Sequence, residues 1–137
     1  ARGISILMSE TGLQDYILTA AANALQGVNS GLFASMSYIV YLGLSFLIPS
    51  TSGLASGSLP VFGPLAAKLS LSPEVMIMIF VAACGLVNFI TPTSGVVMGG
   101  LQTSRVEWTT WIKFTAKLLL MLLVIDIIIL SVAMMML

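Results

Sequence analysis

The sequence predicts an all-α integral membrane protein, and three observations predict it. Apolar residues make up 58% of the chain and charged residues only 7%, against about 25% charged in soluble domains. No charged residue occurs from Tyr16 to Ala67, a stretch in which a soluble protein would place several. Mean hydropathy is +1.11. The expected architecture is an interfacial helix, a re-entrant helical hairpin, a broken transmembrane helix and a final transmembrane helix. The same composition excludes other classes. Net charge is zero, so there is no sign of a nucleic-acid partner or a polybasic anchor. Histidine, the commonest general base and metal ligand, is absent, and the single cysteine, Cys84, has no partner for a disulfide or a metal site. With no nucleophile–base pair, phosphate loop or metal spacing, the chain is not expected to be an enzyme.

The elements follow in order. The chain starts abruptly at Ala1-Arg2-Gly3-Ile4-Ser5, with no initiator methionine and no signal-peptide pattern, so a fragment of a longer chain is expected. Residues 1–30 read as the end of a preceding apolar segment followed by an amphipathic helix. From Leu13 to Leu25, the residues Leu13, Tyr16, Ile17, Ala20, Ala21 and Ala24 recur at helical spacing. That helix is about 20 Å long, too short to span a bilayer, and fits the interface.

Residues 31–70 read as a hairpin. One arm, Leu32–Leu47, stops at Pro49, which disfavours a helical Ile48 and has no N–H to donate. The other arm, Leu54–Lys68, starts after a tip at 49–53, where Ser50 or Ser52 can cap it. The arms are barely long enough to span a bilayer, which suits a segment that dips in and returns. Gly53 and Gly57 give the second arm a small-residue face.

Residues 71–104 read as a discontinuous helix. Ser72 is a candidate N-cap, Pro73 the first helical residue and Glu74 a first-turn acid. The helix runs to about Val87, breaks at 88–95 and resumes from Val96 to Thr103. Residues 105–137 read as a loop and a last crossing from about Trp111. Arg105, Lys113 and Lys117, with Trp108 and Trp111, mark an interfacial segment, which the excess of basic residues places in the cytoplasm. Asp126 is an intramembrane carboxylate, so it reads either as functional or as a partner for a neighbouring helix.

The polar breaks are where chemistry can reside. Hydrocarbon tolerates open backbone groups only where protein or a water-filled cavity covers them. The first break offers Ser50, Thr51, Ser52 and Gly53; the second offers Asn88, Thr91, Pro92, Thr93, Ser94 and Gly95. Such clusters also occur as plain turns at membrane surfaces. Two interruptions in successive apolar segments point instead to a transporter site near the bilayer midplane, with half-helix N-termini facing a carboxylate. The hydroxyl and amide oxygens of Ser50, Ser52, Asn88 and Thr93 suit Na⁺. No cofactor is expected beyond Na⁺ or H⁺ as coupling ion.

At these breaks the sequence resembles a known family. FLIPSTSGLASGSLPVFGPLA, then GLVNFITPTSGVVMGGL and WIKF, are similar to the C4-dicarboxylate anaerobic carrier-like (YfcC/DcuC) group of the ion-transporter superfamily. The resemblance implies a secondary carrier of two inverted halves, of which this chain is the C-terminal half. Ser50, Ser52 and Gly53 match the hairpin tip, and Asn88, Pro92, Thr93, Ser94 and Gly95 match the break. Thr51 stands where many members have glycine, and the segment from Ala83 to Asn88 lacks an acid that some members carry. The implied function is ion-coupled movement of small organic anions or amino acids across a bacterial inner membrane. The implied partners are the small-molecule solute, the lipid bilayer, the N-terminal half of the same carrier and a second copy in a homodimer. The rival readings are a non-transporting membrane fragment and a subunit of an oligomeric pore.

Overall fold

The computed structural model describes residues 7, 10–24, 27, 29–48, 50–68 and 70–136. The first five residues, and Pro49 at the hairpin tip, lie outside that set. The described residues form six helices and no strand: α1 (Leu13–Ala24), α2 (Ser30–Leu47), α3 (Thr51–Lys68), α4 (Pro73–Ile90), α5 (Gly95–Thr103) and α6 (Trp108–Met136). Three stretches, Ser30–Leu47, Pro73–Thr103 and Trp108–Met136, are long and apolar enough to cross a membrane. The all-helical membrane fold read from the sequence is therefore what the chain adopts.

Two ways of ending a helix alternate along the chain. α2 and α4, each of 18 residues, end at the residue before a proline-blocked position. Ile48 (φ −106°, ψ 93°) precedes Pro49, and Thr91 (φ −66°, ψ 133°) precedes Pro92. Both are extended, as clash with the proline ring requires. α3 and α5 end differently. The Leu71 amide donates to Ala66 O and the Ser70 amide to Ala67 O; at α5, Val106 donates to Leu101 O and Arg105 to Gln102 O. These are paired 6→1 and 5→2 closures, with Ser70 and Arg105 at positive φ where glycine is usual.

α2 lies at the centre and packs most extensively on α4 and α6. Phe33, Ala34, Tyr38, Tyr41 and Leu44 of α2 are buried among Phe62 of α3, Met76, Ile79 and Phe80 of α4, and Leu130 and Met134 of α6. α2 and α3 fold back on each other. Tyr41 and Phe62 flank the tip on opposite arms, yet their ring centroids are 5.0 Å apart. One continuous helix would separate them by about 31 Å. α3 runs through Pro60 and Pro64 without a break. Each proline removes one amide donor, leaving the Ser56 and Pro60 carbonyls without their usual i+4 partner.

Three polar or close contacts at turn spacing join α2 to α6. Tyr38 Oη donates to Asp126 Oδ2 at 2.8 Å, and Ser35 Oγ meets Ser131 Oγ at 2.9 Å. One turn further, a Cβ on Gly31 would lie 3.3 Å from the Met135 sulfur. Asp126 is thus tied to a neighbouring helix, one of the two roles its position allowed.

The observed boundaries correct the sequence reading at both breaks. The arms are longer than expected, and α2 alone is long enough to cross a bilayer. Thr51, Ser52 and Gly53 belong to the first turn of α3 rather than to an open tip. Asn88, Phe89 and Ile90 complete the last turn of α4 rather than unwinding, so the second break narrows to 91–94. The reason is the same in both places. The proline and the residue before it stop the helix, whereas an asparagine does not.

Candidate functional site

The tip is organised by Ser50. Its Oγ accepts the Gly53 amide at 3.2 Å, an N-cap bond to the third residue of α3. A Cβ on Gly53 would sit 3.0 Å from that oxygen and crowd the cap. Thr51 and Ser52 follow on the exposed side of the first turn. Of the two capping serines the sequence allowed, Ser50 takes the role.

The second break is built from more distant parts. Thr91 is buried, and its Oγ1 lies 2.8 Å from Thr93 Oγ1. Pro92, Thr93 and Gly95 are exposed, and Ser94 is half-buried at the N-cap position of α5. Ser94 makes no side-chain cap bond, so its hydroxyl leaves the first amides of α5 uncovered. A Cβ on Gly95 would meet open space.

The two breaks touch. Asn88 Nδ2 donates to Thr51 Oγ1 at 3.2 Å, across 37 residues of sequence. The structure therefore brings Thr51 and Asn88 together, pairs Thr91 with Thr93, and commits Ser50 to its own helix. Of the four oxygens read as Na⁺ ligands, those of Ser50 and Thr93 are engaged in local hydrogen bonds.

Two residues of the site were not read as part of it. Trp108 Nε1 donates to the Ile90 carbonyl at 2.8 Å, and Trp111 Nε1 donates to the Phe89 carbonyl at 3.2 Å. The Phe89 and Trp111 rings also pack, with centroids 5.5 Å apart. The last carbonyls of a helix have no intrahelical donor; here two indoles supply it. The sequence placed these tryptophans in a headgroup belt, well away from the break. In the structure the start of α6 lies within a tryptophan's reach of the end of α4. The available signal was their i, i+3 spacing at a helix start, which puts both N–H groups on one face.

A cavity of about 260 Å³ lies beside the break between α4 and α6, lined by Ala82, Gly85, Leu86, Phe89, Leu118, Leu119, Leu122 and Asp126. Its wall is almost entirely apolar, with Asp126 at one end, and Thr51 and Asn88 do not line it.

A bundle of apolar helices interrupted at two touching breaks defines a multi-pass α-helical membrane protein. The family model for the C4-dicarboxylate anaerobic carrier (DcuC) matches residues 1–135, and the chain belongs to that family. Among curated relatives, an uncharacterized protein of Haemophilus influenzae is 29% identical over 132 residues, covering 96% of this chain and 26% of its own length. The Escherichia coli K12 protein named "Putative basic amino acid antiporter YfcC" is 28% identical over 131 residues, covering 92% of this chain and 26% of its own length. The chain thus spans about a quarter of the length of these relatives. No solved structure matches it significantly.

Proposed function

We propose that this chain forms part of the second half of a secondary active carrier for small organic anions, C4-dicarboxylate-like, or amino acids. In this reading α2 and α3 are a re-entrant hairpin and α4 and α5 a discontinuous crossing. An ion gradient, of Na⁺ or H⁺, drives the movement. The carrier sits in a bacterial inner membrane, pairs with its N-terminal half and forms a homodimer. The single observation that carries the reading is the Asn88–Thr51 hydrogen bond, which joins the two polar breaks into one surface. Ser50, Thr51, Ser52 and Gly53 offer one wall, and Asn88 with Thr91, Pro92, Thr93, Ser94 and Gly95 the other.

The chemistry favours a carboxylate. The N-termini of α3 and α5 open at the breaks, and half-helix N-termini carry partial positive charge. The first amides of α5 lack a side-chain cap and are available to an anion's oxygens. A Na⁺ ion at Ser50, Ser52, Asn88 and Thr93 would draw on hydroxyl and amide oxygens without a fixed carboxylate, so its binding would be weak and reversible, as transport requires.

The test is uptake of labelled succinate by cells or vesicles holding the full-length carrier. Asn88→Ala and Ser52→Ala each abolish saturable, gradient-driven uptake while the protein reaches the membrane at normal levels. Unchanged uptake in both variants overturns the site assignment.

A further inference from the structure

We propose that Trp108 and Trp111 are positioning residues for the candidate site: their indole N–H groups hold the end of α4 and thereby aim Asn88 at the hairpin tip. Asn88 is two residues before Ile90, in the turn whose last two carbonyls the indoles occupy. The Thr91 amide ties Val87 O to the same turn. Besides the Asn88–Thr51 bond itself, the long-range polar contacts at this helix end are the two side chains supplied by α6. The last carbonyls of a helix have no intrahelical donor, so loss of either indole leaves the turn free to unwind or tilt. Asn88 would then lose its registration with Thr51.

The same contacts bear on what the site accepts. A helix C-terminus carries partial negative charge on its open carbonyls. At this break that end meets two donors, whereas the N-terminal end of α5 has no side-chain cap. The indoles thus tilt the balance of the break toward anions. This selectivity argument rests on the proposed function; the positioning argument rests only on geometry.

The experiment separates the two. In the full-length carrier with Cys84→Ala, Thr51→Cys and Asn88→Cys are introduced and oxidised with copper phenanthroline. A protease site placed in the 69–72 loop reads the cross-link as retention of the two fragments in one band. Cross-linking is expected to be fast in the parent and to slow about tenfold when both tryptophans become phenylalanine, since small misplacements have large rate effects. Trp108→Gln with Trp111→Gln keeps an N–H donor on each side chain and restores much of the rate. Single Trp108→Phe and Trp111→Phe variants give intermediate rates and carry the test if the double variant is poorly expressed. Equal cross-linking in parent and phenylalanine variants overturns the inference, as does failure of the glutamine pair to exceed the phenylalanine pair. Succinate uptake is read in parallel on the tryptophan variants without the cysteines. If positioning holds, half-saturation rises in the phenylalanine variants. A cross-linking effect together with unchanged uptake in Asn88→Ala leaves the positioning role intact and removes the transport site.

Discussion

The two breaks are built on one plan and held together in different ways. Each follows an 18-residue helix stopped by a proline, and each leads into a helix whose N-cap position is a serine. At the first break, the polar bond that organises the tip is made within three residues, from the Gly53 amide to Ser50 Oγ. At the second, Ser94 makes no such bond, and the open carbonyls of α4 are met by donors 18 and 22 residues downstream. The first break is a local structure. The second also draws on donors from α6. The lesson is that the same sequence signal, an apolar run cut by proline and serine, can mark a self-contained turn or a tertiary joint.

That contrast can be broken or sharpened experimentally. The largest effect is expected at the second break. Replacing both Trp108 and Trp111 by alanine removes two exposed hydrogen bonds, at about 1 kcal/mol each. Unfolding of the full-length carrier by SDS in mixed micelles should show a loss of about 2 kcal/mol; a loss under about 0.5 kcal/mol would mean that the indoles do not support this helix end. Next comes Ser50→Ala, which removes a single N-cap bond and should cost about 1 kcal/mol by the same assay.

Gly53→Ala should be close to neutral alone. The added Cβ crowds Ser50 Oγ, but alanine improves helix propensity by about 1 kcal/mol. In a Ser50→Ala background the crowding is gone, so Gly53→Ala should then stabilise by roughly that amount. A simple sum of the two single effects would show that the cap and the glycine are not coupled. The smallest effect is expected for Ser94→Ala, within about 0.5 kcal/mol, because its side chain caps nothing. Loss of uptake in Ser94→Ala at unchanged stability would place that hydroxyl on the solute rather than in the fold.

This difference also explains what the sequence revealed. The helical membrane class, the two breaks and a serine cap at Ser50 or Ser52 were legible because each depends on neighbours in the chain: apolar runs, an X-Pro step, a serine before a helix. Asn88 was misread as unwound, because polarity was taken as the breaking signal when Pro92 is what stops the helix. The carbonyls that Trp108 and Trp111 reach were not legible, because an i, i+3 spacing puts two indoles on one face without saying what lies opposite. The contact between Asn88 and Thr51 was anticipated only as a meeting of two breaks, without the residues that make it. α3 passing through Pro60 and Pro64 likewise depends on packing, which a local rule does not contain.

The seam between α2 and α6 has a mechanical consequence. Its contacts at Gly31, Ser35 and Tyr38 fall one turn apart and face Met135, Ser131 and Asp126. A slide of one residue would put all three out of step at once, so the seam behaves like a ratchet tooth and not like a greased bearing. α2 meets α3 through Tyr41, whose ring packs on Phe62. The hydroxyls of Tyr41 and Ser58 are buried between those helices without a hydrogen bond of regular geometry. One limb of the hairpin is thus keyed to α6, whereas the other packs on α1 and α4.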